Sequence, residues 1–395
     1  MSDPTASDWE WKLLSEVIRD RQITLGRGDV ISKVDIENHP GDYPIYSSSA
    51  SATGMFGRYG RYMFDEELIT WSVDGGGKPF YRPKHKFSVT NVCGFLKIND
   101  IEKWDYRFVA ALMQEQHRTL SFDWLMKAHP SVIRNLYRLP VLPIREQQRI
   151  AEILDNLGVQ IRAAEQIIAK LKLAKQGLAS DLLPLDGNSQ VEVRPLRELA
   201  DISGGVTLGS EPSGPGTIRR PYLRVANVQD GHLDLSEIKF IRIRSSDLAR
   251  FSLAHGDVLM NEGGDADKLG RGTVWESQIE GCLHQNHVFR VRADRRVLEP
   301  WFLAHVSASA YGKKYFLGAS KQTTNLATIN STQIGAFPIP LPSVEEQRRI
   351  VEILSSHDAL VAQEQATLKK LYRLKTGLMS DLLGGRVRVP LEAVS

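Results

Sequence analysis

Cysteine is nearly missing from this sequence. Cys93 and Cys282 are the two in 395 residues, too few for a disulfide framework and fitting for a reducing compartment. Long apolar runs are missing as well. None approaches the roughly 18 residues that a membrane helix needs, and the opening Met1-Ser2-Asp3-Pro4 carries no basic-then-apolar leader. A cytoplasmic chain that spans no membrane is expected. An excess of one charge is also lacking. The net charge of +3 permits an acidic partner without demanding one; a protein that holds DNA by charge alone is usually more basic.

Catalytic signatures are equally scarce. Gly75-Gly76-Gly77-Lys78-Pro79 lacks the spacing and the hydroxyl of a phosphate-binding loop, and no Gly-x-Gly-x-x-Gly opens a helix after a strand. The Asn/Asp-Pro-Pro-aromatic motif with which amino-methyltransferases grip their target amine is absent. Glu10-Trp11-Lys12 and Glu237-Ile238-Lys239 match the Glu-x-Lys piece of a nuclease site, a triplet that chance supplies among 50 basic residues. Cys282, His284 and His287 have an unusual spacing for zinc and no fourth ligand. The expectation is a binding protein with no catalytic residues, no metal ligands and no cofactor of its own.

What is present is a repeat. Glu146-Gln147, Arg149-Ile150, Glu152-Ile153-Leu154, Gly177-Leu178 and Ser180-Asp181-Leu182-Leu183 return, at a constant offset of 200 residues, as Glu346-Gln347, Arg349-Ile350, Glu352-Ile353-Leu354, Gly377-Leu378 and Ser380-Asp381-Leu382-Leu383. A gapless period of this length marks a duplicated module, which suits a target with two halves. Each copy reads as a helix. Pro143 opens the first and Pro184 follows it, while Ser343 with Glu346 forms a capping-box pattern and Gly384-Gly385 close the second. In the first helix Ile150, Leu154, Leu157, Ile161, Ala164, Ile168, Leu171, Lys175, Leu178 and Leu182 recur at alternating steps of four and three. In the second, Ile350, Leu354, His357, Val361, Glu364, Leu368, Leu371, Lys375, Leu378 and Leu382 keep the same register. These are coiled-coil seams.

Pairing could be within the chain or between chains; intramolecular antiparallel pairing is favoured, because the long intervening segment allows the return. A two-fold axis midway between Ile150 and Leu182 sets Ile150 on Leu382, Leu154 on Leu378 and Ile161 on Leu371. It also sets Lys175 on His357, Ile168 on Glu364 and Leu157 on Lys375. These polar positions either fix register at a cost in stability or lie at the seam edge with their heads in water.

The intervening segments are rich in glycine, aromatics and short β-like runs such as Leu68–Val73, Phe95–Ile98, Tyr222–Val225 and His287–Val291. They echo each other loosely: a strand runs into Asp74-Gly75-Gly76-Gly77 in one and Glu262-Gly263-Gly264-Asp265 in the other, and Asn91 and Asn286 each precede a strand. Val193-Arg194-Pro195-Leu196, which opens the second segment, returns as Arg388-Val389-Pro390-Leu391 in the tail. Either the tail completes the first segment from the far end, in a circular arrangement, or it is an unstructured end with a chance likeness. The α+β chain therefore divides into a first head at 1–142, a helix at 143–184, a second head at 185–341, a helix at 342–384 and a tail at 385–395.

Residue types suited to DNA gather in the heads. Arg58, Tyr59 and Arg61 interleave cations and an aromatic ring; Lys78, Tyr81, Arg82, Lys84 and Lys86 do likewise. The second head offers Arg219, Arg220, Arg224, Lys268, Arg271, Lys321, Thr323 and Asn325, with a further cluster at Arg290, Arg292, Arg295 and Arg296. Lysine and arginine neutralise phosphates, and arginine or amides can read base edges. A coiled-coil adaptor whose heads bind proteins is the alternative that these clusters leave open.

Leu-Pro-x-x-Glu-Gln-x-x-Ile-x-x-Ile-Leu at 142–154, and with one extra residue at 341–354, resembles the conserved helices of type I restriction–modification specificity subunits. Leu196–Gly205 looks like the start of that family's target-recognition domains, and Thr323–Asn325 through Ile339–Pro342 like their end. The first head is similar through Tyr43–Tyr46, Trp71–Gly77 and Asn91–Ile98. The resemblance covers essentially the whole chain. It implies two mixed α/β target-recognition domains separated by an antiparallel helix pair, in a pseudo-two-fold, circular arrangement. It also implies a non-catalytic subunit that reads a bipartite sequence in double-stranded DNA. Two methyltransferase subunits and, through them, restriction/translocase subunits would be its partners. S-adenosylmethionine, ATP and magnesium would belong to those partners, and the complex would be prokaryotic, cytoplasmic and DNA-associated.

Overall fold

The computed structural model describes residues 9–48, 54–120, 127–183, 191–209, 212–264, 269–270, 272–322 and 327–390. Two compact units form: residues 1–166 with 366–395, and residues 167–365. No described helix is long and apolar enough to cross a membrane.

The first unit runs through β1 (Trp11–Leu13), α1 (Leu14–Arg19), β2 (Ile23–Arg27), α2 (Lys33–Asn38), β3 (Tyr43–Tyr46), β4 (Met55–Tyr59), β5 (Phe64–Ser72), β6 (Pro79–Val89), β7 (Cys93–Ile98), α3 (Tyr106–Thr119), α4 (Pro130–Ile133) and β8 (Arg138–Pro140). Then α5 (Ile144–Leu182) begins. Six strands form one sheet in the order β2-β7-β5-β6-β3-β4. The continuous apolar run in β5 follows from cover on both faces: Ile69 and Trp71 join the core against α3, while Leu68 packs with Phe87 and Val89 on the other side. Asp105 starts α3 by accepting from the backbone N–H of Arg107 and Phe108. Gly94 is needed beside Trp71, because a β-carbon there would lie 2.2 Å from the indole ring.

The second unit contains the later part of α5, then β9 (Glu192–Pro195), β10 (Ala200–Ser203), β11 (Thr217–Leu223), β12 (Lys239–Arg244), α6 (Leu248–Phe251), β13 (Val258–Asn261), β14 (Gly263–Gly264), β15 (Gly272–Val274), β16 (Leu283–His284) and β17 (Val288–Ala293). After α7 (Pro300–Ala308) and α8 (Ala310–Ala319) come β18 (Lys321–Gln322), β19 (Ala327–Thr328), α9 (Ser331–Gly335), β20 (Pro338–Leu341) and α10 (Val344–Leu383). Its main sheet is β10-β17-β13-β15, flanked by β12-β11-β16 and the small β14-β19-β18 sheet.

The two units share a frame. Gly28 lies against the Val89 carbonyl and Gly205 against the His284 carbonyl, so close that a β-carbon would come within 1.8 and 1.9 Å. A parallel bridge follows each glycine, Asp29 to Thr90 and Val206 to Gln285. Val73 N–H donates to the Val92 carbonyl, as Glu262 N–H donates to that of His287. The Asn echo thus falls at matching points, and the Gly-rich echo lies one residue out of step.

The seam positions stand out along both long helices. Ile150, Leu154, Leu157, Ile161, Ala164 and Ile168 are buried, and Leu171, Lys175, Leu178 and Leu182 half-buried. In α10, Ile350, Leu354 and Leu382 are buried, and His357, Val361, Glu364, Leu368, Leu371, Lys375 and Leu378 half-buried. In the first unit Ile150 and Leu154 share a core with Leu378 and Leu382; in the second, Ile350 and Leu354 share one with Leu178 and Leu182. Early α5 with late α10, and late α5 with early α10, is antiparallel pairing within one chain. Lys175 forms its ion pair with Asp358, one residue beyond the expected His357. Ser343 caps α10 by accepting from Glu346 N–H at 3.2 Å, but the Glu346 carboxylate turns to Arg349 instead of reaching back to the cap.

The described part of the tail joins the first unit, although not as a strand. In the second unit β9 pairs with β20, and Leu196 N–H donates to the Phe337 carbonyl. In the first unit that place belongs to β1, paired with β8, with Leu14 N–H on the Tyr137 carbonyl. With β8 already paired, the described residues of the tail, up to Pro390, form no equivalent strand. It contributes Val389 to the core, and Arg388 donates twice, at 2.7 Å, to the Glu146 carboxylate, whose side chain is 1% exposed.

Candidate nucleic-acid interface

Burial divides the candidates of the first unit into two groups. Arg61, Lys78 and Lys84 are exposed; Arg58 is exposed too and donates to the Asp42 carbonyl at 2.8 Å. Lys86 is half-buried, with its ammonium 4.8 Å from the Tyr62 ring and 5.7 Å from that of Tyr43, a cation–π pocket open to solvent at Tyr62. The others turn inward. Tyr59 is buried with its hydroxyl 2.9 Å from Ser88 Oγ. Tyr81 donates to Glu67 at 2.8 Å, and burial, followed by that carboxylate, pushes its hydroxyl pKa well up. Arg82 is buried, stacks 3.7 Å over the Tyr46 ring and donates to Thr70 Oγ1 at 2.9 Å.

In the second unit Arg219 and Lys321 are exposed, and Arg220 and Arg224 half-buried. Arg224 is engaged by the Glu237 carbonyl at 3.3 Å and its carboxylate at 3.5 Å. The cluster at 290–296 holds the fold together. Arg290 is buried and pairs with Asp201, Arg292 forks onto the buried Asp257, Arg295 donates to the His255 carbonyl and Arg296 to Asp294. Lys268, Arg271, Thr323 and Asn325 lie outside the described residues. Cys282 is buried, which pushes its thiol up to about 12. His284 Nδ1 lies 2.6 Å from the Val288 carbonyl oxygen and His287 pairs with Glu262.

Residues that the clusters missed lie on β12. Ile241 and Ile243 are buried, while Phe240, Arg242 and Arg244, which alternate with them, are exposed. The signal was present as period-two alternation in Lys239-Phe240-Ile241-Arg242-Ile243-Arg244. A run of neighbouring cations draws attention; cations at every second position share a face. Behind them a cleft of about 230 Å³ is lined by Val206, Ile241, Ile243, Asp247 and Phe251.

Residues 6–173 and 188–373 match the family model described as type I restriction modification DNA specificity domain. The putative type I restriction enzyme MjaX specificity subunit of Methanocaldococcus jannaschii is 28% identical over 193 residues, 48% of this chain and 45% of that protein. The type I restriction enzyme EcoKI specificity subunit of Escherichia coli is 24% identical over 282 residues, 66% of this chain and 60% of that protein. The chain thus spans about half the length of these curated relatives. The crystal structure of a type-I restriction-modification system S subunit from M. genitalium has the same fold, with a TM-score of 0.63, 16% identity and 97% coverage of both chains.

Proposed function

The chain belongs to the type I restriction–modification DNA specificity family, and from that premise we propose that its two heads each read one half of an asymmetric, bipartite site in duplex DNA. The observation that carries this reading is a common frame with different outward chemistry. Both units keep the four-strand core and the glycine–carbonyl approach, yet one presents Lys86 between Tyr43 and Tyr62 and the other an arginine-bearing β11–β12 pair. Frames that match can be held by matching partners, whereas surfaces that differ select different sequences.

The chain's own part is binding. Two methyltransferase subunits, held on the repeated helices, would supply the methyl transfer with their S-adenosylmethionine. Restriction/translocase subunits joined through them would supply ATP- and magnesium-dependent work. The exposed cations Arg58, Arg61, Lys78, Lys84, Arg219 and Lys321, with the half-buried Lys86, would neutralise phosphates or meet base edges. Mapping methylated adenines across the genome of a prokaryotic host, with and without this chain, tests the reading. A motif with two defined halves and an unread spacer should vanish with the chain. An unchanged methylation map, with all partner subunits present, would contradict it.

A further inference from the structure

Strands β11 and β12 pair in a register that sets Arg219 directly opposite Arg242, and Thr217 opposite Arg244. Opposed residues of an antiparallel pair project to the same face with β-carbons about 5 Å apart, and like charges there oppose folding. The reverse face is buried: Ile241 and Ile243 are 4% and 3% exposed and pack with Val206, Tyr222 and Leu283. The outward face therefore carries Arg219, Arg242 and Arg244, with Phe240 51% exposed and its ring 4.9 Å from the Arg219 guanidinium.

Among the described residues, the neighbouring carboxylates are engaged elsewhere or form no ion pair with these three. Glu237 is engaged by Arg224 and Lys239. Asp247 lines the cleft beside Arg242 and Arg244 without closing an ion pair. No carboxylate of the described residues forms an ion pair with any of the three. A strand pair that keeps three guanidiniums outward at a cost in stability is suited to an anionic partner. Two strands fit the roughly 12 Å width of the DNA major groove, where arginine makes paired hydrogen bonds to guanine O6 and N7.

Resting on the reading that the heads bind DNA, we propose that β11–β12 is the element of the second unit that enters the major groove. Arg219, Arg242 and Arg244 read guanine there, and the half-site of this unit contains guanine. In the first unit the comparable pair is β3–β4, which also runs parallel to a neighbouring strand. It offers Arg58 as its single arginine, already donating to the Asp42 carbonyl. The first half-site depends less on guanine.

The test is selection of bound duplexes from a randomised library by the full chain, assembled with its methyltransferase subunits. The wild type and the single variants Arg219→Gln, Arg242→Gln and Arg244→Gln are compared. The wild type should select a bipartite site with guanine in one half. At least one variant should lose preference at a guanine position by about ten-fold or more, leaving the other half unchanged. Arg242→Gln also removes the like-charge contact, so its thermal midpoint should equal or exceed that of the wild type, which separates lost reading from unfolding. Uniform weakening with every preference intact would make the strand pair a phosphate contact and overturn the proposal. So would full retention of both halves by all three variants. Failure of the wild type to select any sequence would instead remove the DNA-reading premise itself.

Discussion

One repeated dipeptide does two different things. Gln147 is fully buried, donates to the Lys103 and Leu142 carbonyls at 2.7 and 3.0 Å, and accepts from Asp105 N–H at 3.1 Å. Gln347 repeats each contact, with Val297 and Pro342 at 2.9 Å and Glu299 N–H at 2.8 Å. Each glutamine ties the start of a long helix to the loop before α3 or α7. Replacing either by leucine keeps the volume but leaves three backbone groups buried without partners, and should cost about 3 kcal/mol. Urea unfolding measures this, and an unchanged midpoint for both variants would show the clamps to be idle. The preceding glutamates are not equivalent: Glu146 is buried against Arg388, while the Glu346 side chain is 40% exposed and faces Arg349. Histidines add a pH dependence. Burial lowers His284 and His305 to about 4 each, from an ordinary value near 6.5. Between those values the unfolded chain binds protons that the folded chain refuses, so stability is complete above pH 6.5 and is lost as pH falls toward 4. The slope is about 1.4 kcal/mol per pH unit for each group at most. The thermal midpoint should drop between pH 7.5 and pH 5; a flat profile would sink this account.

At the scale of the element, the long helices are the part most legible in the sequence. A four-three spacing assigns a face to every residue, and even the polar interruptions His357, Glu364 and Lys375 are half-buried where that spacing puts them. Such residues weaken a seam and hold its register. Glu364→Leu should therefore raise the stability of the full chain by about 1 kcal/mol, as calorimetry would show; a loss would mean that the carboxylate is held by a specific bond. The candidate site was less legible, for a physical reason. Phe80–Lys86 reads as one basic, aromatic run, but the register of β5 on β6 shifts between the pairs Leu68–Arg82 and Glu66–His85, so the alternation breaks there and Arg82 is buried on Tyr46 while Lys84 stays exposed. Arg290 and Arg292 read as part of a surface cluster because their partners Asp201 and Asp257 lie far away in sequence. Arg242 and Arg244 escaped notice because isoleucines separate them. Periodicity along the chain is visible locally; which face meets solvent depends on contacts that sequence distance conceals.

For the whole molecule, the chain order is circular: residues 366–395 return to the unit that residues 1–166 build. Each long helix passes unbroken from one unit into the other, over 39 residues in α5 and 40 in α10. A helix of that length extends roughly 60 Å, at about 1.5 Å per residue. If the heads read successive major grooves, the centres of their half-sites fall about one turn, roughly 10 bp, apart. Adding or removing one base pair in the spacer then shifts one half-site along the duplex and rotates it about the axis, so specific binding should disappear. Methylation of plasmids that carry the site with its natural and altered spacers measures this, and tolerance of several lengths would argue against a rigid ruler. Replacing residues 186–340 by the matching head of a relative should change the bases of one half and leave the other half and the spacer as they were. The reason is that the common frame keeps the helix attachments while the outward side chains change. If both halves changed, the heads would not be independent readers.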